Sequence, residues 1–193
     1  MILKDFLPIT VVCAVLIFVL KETLDVFKKK TERQRKISAY KHLILEELRK
    51  NAWSVKHLKG VMSELADPEL KSVEISKLSS GGLKIAIRSE GSWGSSPLWP
   101  IHTSVFEKIF IGLAETDAEI FSAVSQAYEE LAEVKHVRDS LIEFSENPDH
   151  PGGWEIFAEY GKDVIKDCEA AMTKLCTQIT GKPLEGFKLR SYI

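Results

Sequence analysis

The chain has 193 residues, with 26 Lys and Arg against 28 Asp and Glu, and three cysteines. That length suits one domain with a sizeable core. Three cysteines do not make a disulfide framework, and a net charge of −2 is not that of a uniformly basic nucleic-acid binder.

The small net charge hides a division. Residues 21–66 hold 12 Lys and Arg against 6 Asp and Glu, whereas residues 67–193 hold 13 against 21. The first part is therefore basic and the second acidic. Phosphate binding needs a basic footprint, which the larger acidic part lacks, so no nucleic-acid partner is expected.

The first element is an uncharged run, Phe6 to Leu20 (FLPITVVCAVLIFVL). As a helix it spans about 22 Å, short of a hydrocarbon layer of about 30 Å. Snorkelling by Lys4 and Lys21, or local thinning of the bilayer, closes the gap. The run predicts a transmembrane anchor over residues 1–20. Two alternatives remain: a cleaved signal peptide, which lacks a small-x-small site here, and a buried helix of a soluble domain.

Six basic residues follow the run, namely Lys28, Lys29, Lys30, Arg33, Arg35 and Lys36, with Glu32 the one acid among them. Basic residues beside a span stay on the cytoplasmic side and meet anionic lipid headgroups. The expected topology is single-pass in a cell inner membrane, with the N-terminus outside and the bulk of the chain cytoplasmic. The six are the predicted membrane-surface residues.

Residues 21–66 read as one long juxtamembrane helix continuing from the span. Ile37, Tyr40, Ile44, Leu48, Ala52, Val55, Leu58, Met62 and Leu65 step by three and four. It should end near Asp67-Pro68. The stripe extends beyond what shorter helices cover, so Ile37, Tyr40 and Ile44 predict a homo-oligomer through this helix.

A short helix is expected from Glu69 through Leu78. Residues 79–102 read as an irregular insertion: a turn at Ser79 to Gly82, a short strand at Leu83 to Arg88, then a Gly/Ser/Pro loop over 89–100. A helix beginning at Thr103 or Ser104 packs Val105, Phe106, Ile109 and Phe110 and gives way near Gly112. Another runs over 117–144, opened by a capping box with Thr116 as N-cap and Glu119 reaching back. Residues 146–153 (ENPDHPGG) form an interhelical turn, and the last helix runs over 154–180, closed by Gly181. Residues 67–193 are thus the rest of the bundle. The expected fold class is mainly α, an antiparallel bundle carrying an irregular segment.

The layout of a single apolar helix, a basic helix, then PLWPIHTSVFEKIF and AYEELAEVKHVRDSLIEF resembles uncharacterised bacterial single-span, membrane-anchored helical-bundle proteins. Some of those sit beside stress or phage-defence genes. The likeness implies a bacterial inner-membrane location and carries no catalytic residue.

The sequence carries no recognisable catalytic pattern. Glu133-Val134-Lys135-His136 is a lone E-x-x-H, whereas di-iron bundles pair two such motifs with further carboxylates. His42 and Glu46 lie one turn apart in a charged stretch. No G-x-S-x-G occurs, and Gly81-Gly82 lacks the Lys and helix of a phosphate loop. His150 sits in a turn. No cofactor or metal is expected. Trp93 and Trp99, large aromatics in a Gly/Ser loop, either anchor a partner or lie back over the core.

The function expected is therefore non-enzymatic: a tethered interaction, sensor or scaffold module with an unidentified protein partner. The alternative is a membrane-perturbing effector whose anchors cluster on triggering. An enzyme with an unreadable site is the third.

Overall fold

The computed structural model describes residues 9–146 and 153–185. Residues Phe6 to Pro8 of the apolar run, and the predicted turn with His150, lie outside them. Helix α1 covers Ile9–Leu65, 57 residues and about 85 Å of continuous helix. Its two ends do different work. Every side chain from Ile9 to Leu24 is exposed, whereas Ile44, Leu48, Val55, Leu58, Met62 and Leu65 are buried. The predicted stripe is the core face of this second half.

Among the described residues, no helix is long and apolar enough to cross a membrane. The reason lies in the charges: the apolar part of α1 ends at Leu20, and Lys21, Glu22 and Asp25 follow within two turns.

After Pro68 the chain turns back as a sheet. Strands β1 (Leu70–Lys77), β2 (Leu83–Ser89) and β3 (Ser92–Leu98) pair antiparallel in the order β1-β2-β3. This corrects two expectations. The helix at 69–78 is a strand, and the loop over 89–100 is mostly a strand closed by a turn at Glu90-Gly91. Alternation along β2 explains the outcome, because Ile85 and Ile87 are buried while Arg88 is exposed. Val73 and Ile75 stand opposite Ile87 and Ile85 and pack on the same core. A half-buried hairpin pair recruits β3, whose own sequence has little strand preference.

Helix α2 covers Ser104–Thr116, α3 Ala118–Glu146 and α4 Trp154–Thr180. The α2–α3 corner also differs from expectation. Thr116 ends α2, its hydroxyl donating back to the Gly112 carbonyl at 2.7 Å. Asp117 alone separates the helices, and its carboxylate accepts the Ile120 N–H at 3.1 Å. Asp117 is thus the N-cap of α3, in place of the predicted Thr116. Gly181 closes α4 as expected, with φ at +74° and its N–H donating to the Thr177 carbonyl.

Packing joins α1 to α2 and α4, and α3 to both α2 and α4. Two glycines permit the closest approaches. A Cβ at Gly112 would run into the Tyr40 hydroxyl, and one at Gly161 would meet Met62 Sδ at 2.6 Å. The Tyr40 contact corrects another expectation. Ile44 is buried and Tyr40 packs against the core, so their own chain covers them. They are not a leftover apolar row.

Candidate functional site: the projecting helix, the clasp and the sheet face

Three regions place chemistry-bearing side chains together. The first is the start of α1. Ile9, Val15, Leu16, Ile17, Phe18 and Leu20 are 55–79% exposed. The apolar side chains surround the helix rather than lining one face. The predicted basic residues follow them: Lys28, Lys29, Lys30, Arg35 and Lys36 are exposed and make no ion pair or side-chain hydrogen bond among the described residues. At about 100° per residue, the six positions cover roughly 220° of the circumference and leave one side, with Phe27, Thr31, Gln34 and Ser38, free of basic residues.

Arg33 stands apart from the other five. Its Nε and Nη2 donate to the Thr116 carbonyl at 2.9 and 2.6 Å. A guanidinium at the C-terminal end of α2 meets the negative end of that helix and satisfies a carbonyl left without an intrahelical donor. Arg33 therefore ties the basic segment to the folded domain.

The second region is a polar clasp that the sequence does not announce. Glu47, Asn51 and Ser54 are buried on α1, at 3%, 0% and 5% exposure. The Glu47 carboxylate accepts the Val105 N–H at 2.9 Å and the Phe106 N–H at 3.3 Å, capping the start of α2 from another helix. Tyr128 of α3 donates its hydroxyl to the same carboxylate at 2.5 Å. Asn51 gives its amide to the His102 carbonyl and accepts the His102 N–H, both at 2.7 Å. Ser54 donates to the Pro100 carbonyl at 2.9 Å. Arg138 completes the clasp, its Nε donating to the Trp99 carbonyl at 2.9 Å. The signal present in the sequence is the spacing: 47, 51 and 54 interleave with the apolar row at the same helical period.

These hydrogen bonds are spent on the linker between sheet and α2. Burial and the Glu47 hydrogen bond push the Tyr128 phenol well above its ordinary value, so it stays protonated. Burial likewise pushes the Cys168 thiol up to about 12, with Glu130 and Glu169 adding to it. Neither group is poised for proton transfer or nucleophilic attack near neutral pH.

An open groove of about 470 Å³ lies between α2 and α3, with Phe106, Phe110 and Tyr128 among its lining. Phe106 stacks on Tyr128 at 4.3 Å and meets Phe110 edge-on at 5.3 Å. The E-x-x-H residues Glu133 and His136 are both exposed on α3. His42 and Glu46 form an exposed pair at 3.8 Å. Among the described residues, no three His, Cys, Asp or Glu side chains are placed to hold a metal ion.

The third region is the outer face of the sheet. The two loop tryptophans part company there. Trp99 is half-buried, with its indole N–H buried and without a partner. Trp93 is 62% exposed and stands on β3 directly opposite Arg88. Lys84 Nζ lies 5.9 Å from the centre of the Trp93 ring.

No family model matches the chain, and neither the curated proteins nor the solved structures contain a match.

Proposed function

We propose that this chain is a membrane-tethered helical module that holds its folded domain at the cytoplasmic surface, where it recruits a protein partner without performing chemistry itself. One observation carries the reading: a helical segment apolar on all sides, Ile9–Leu20, stands exposed outside the fold. A helix apolar on every side needs cover. An interfacial helix would show one apolar and one charged face instead.

The basic positions that follow support the same orientation. Five of them are exposed and unpaired among the described residues directly after the apolar segment, where anionic headgroups would meet them. The described apolar part is about 18 Å long, and in the sequence the run continues back to Phe6. Insertion then relies on a locally thinned bilayer and on the lysine stems. Tethering raises the concentration of the domain at the surface for any partner there.

The shortness of the run favours one second reading. A mismatched span gains by associating with other copies, so a membrane-perturbing effector has the same starting point. Toxicity on expression that vanishes with residues 1–20 would mark it.

The test is fractionation of the full chain expressed in bacteria. The protein should pellet with membranes and resist alkaline carbonate, and Leu16→Lys with Phe18→Lys should release it. Full-length protein that stays soluble after ultracentrifugation overturns the reading. A reporter fused after Ile193 should be active in its cytoplasmic form; activity of a periplasm-only reporter overturns the orientation.

A further inference from the structure

We propose that the outer face of the three-stranded sheet is a docking platform for an acidic segment of a partner protein, with Trp93 as its anchor. The register sets out the platform. Arg88 stands opposite Trp93, and on the same outward side Ala86 faces Ser95 while Lys84 faces Pro97. Ala86 and Ser95 are small residues on that side, and 62% of Trp93 remains in contact with solvent.

An exposed tryptophan on a strand forgoes burial that its neighbours obtain. Gly94, Ser96 and Leu98 alternate with it on the inner side, and Leu98 is 4% exposed. Trp93 adds nothing to that core. Tryptophan and arginine are, however, among the side chains enriched where a few residues carry most of an interface's binding energy.

Charge selects the occupant. Lys84 and Arg88 flank the ring, and neither has an ion-pair partner among the described residues. Lys84 instead lies against the indole, an arrangement that holds its cation beside the ring. The outward carboxylate of β1 is Glu74, opposite Ala86 and so one strand further from Trp93. Two cations around one aromatic therefore fit a segment carrying carboxylates with an apolar or aromatic residue between them.

Position argues against lipid as the occupant. The sheet begins just beyond Leu65, about 68 Å along α1 from Leu20. A bilayer holding Leu20 is out of reach of Trp93. The inference names the partner surface of the recruiting module proposed above, but its test does not depend on membrane insertion.

The experiment uses the full chain in neutral-lipid nanodiscs and a fluorescein-labelled peptide of alternating Glu and Val, read by anisotropy at low ionic strength. Binding is expected to weaken about tenfold or more with Trp93→Ala and with Arg88→Glu plus Lys84→Glu. It should persist with Tyr160→Ala, an exposed aromatic elsewhere. Melting curves of the variants should match the parent, since Trp93 lies outside the core. No binding at millimolar peptide, or equal binding by all variants, overturns the proposal. Tighter binding of a short thymidine oligonucleotide than of the peptide also overturns it, because the surface would then recognise nucleic acid. None of these results alters whether the chain resists carbonate extraction, so the two readings fail separately.

Discussion

The Tyr128 hydroxyl donates to the Glu47 carboxylate at 2.5 Å, joining α3 to the residue of α1 that caps α2. One buried side chain thus holds three helices. Glu47 Oε1 takes the Val105 N–H, and Oε2 takes both the Phe106 N–H and the phenol. The capping carboxylate sits at the positive end of α2, where backbone N–H groups have no intrahelical acceptor.

Removing Glu47 should therefore cost far more than an exposed acid would. Glu47→Ala leaves two α2 N–H groups and a buried phenol without an acceptor, and about 3 kcal/mol of stability should be lost. Tyr128→Phe removes one hydrogen bond and should cost about 1–2 kcal/mol. A double-mutant cycle in urea should give a coupling of about 1 kcal/mol or more between them. A coupling near zero would show that the two side chains act independently.

Arg33 predicts a local effect. Its two hydrogen bonds reach the last carbonyl of α2 from an exposed position, so the global cost of Arg33→Ala should be below about 1 kcal/mol. Hydrogen exchange should nevertheless quicken at the Asp117 N–H, which donates to the Leu113 carbonyl at this corner. Arg33→Lys should behave like the alanine variant, because an ammonium does not reproduce the Nε and Nη2 pair. Unchanged exchange in both variants would count against Arg33 as the link between stalk and domain.

What the sequence revealed, and what it concealed, follows from range. The helices were legible because their signal is local: Ile44, Leu48, Val55, Leu58 and Met62 mark the core face of α1 by spacing alone. Gly181 and Pro183 mark the end of α4 in the same way. The sheet was less legible. β2 alternates and was recognisable, but β1 follows Pro68 with Glu69-Leu70-Lys71, which also suits a helix start, and β3 is SWGSSPL, without a β-branched residue. β3 exists because β2 supplies a partner, a tertiary cause absent from its own segment, whereas β1 carries its own alternation in Val73 and Ile75, masked by the helix-like start. The clasp was hidden for a related reason. Glu47, Asn51 and Ser54 read as polar interruptions of an apolar row, and their distant partners are backbone groups 46 to 59 residues away and, for Glu47, also the Tyr128 hydroxyl 81 residues away. Trp93 and Trp99 looked alike in sequence; Trp93 stands on the outward side of β3, whereas Trp99 lies just past the strand, in the linker that Arg138 holds against the helices.

The last prediction concerns alkaline pH. The Cys168 thiol is fully buried on α4, and burial pushes it up to about 12 from an ordinary value of 9.0. A raised value in the folded state means that the unfolded chain loses the proton first. Stability from this group is complete below pH 9 and declines as pH rises from 9 toward 12. Linkage sets the loss on the order of 1 kcal/mol per pH unit across this range. Tyr128 adds a second decline above pH 10, because its phenol is also raised by burial and by Glu47. Cys168→Ala should cost stability at neutral pH through the lost sulfur contacts, yet flatten the profile from pH 9 to 10. Tyr128→Phe should leave that range unchanged and flatten the profile above it. Urea midpoints across the series test both, and a Cys168→Ala profile parallel to the parent would exclude the thiol as the source of the first decline.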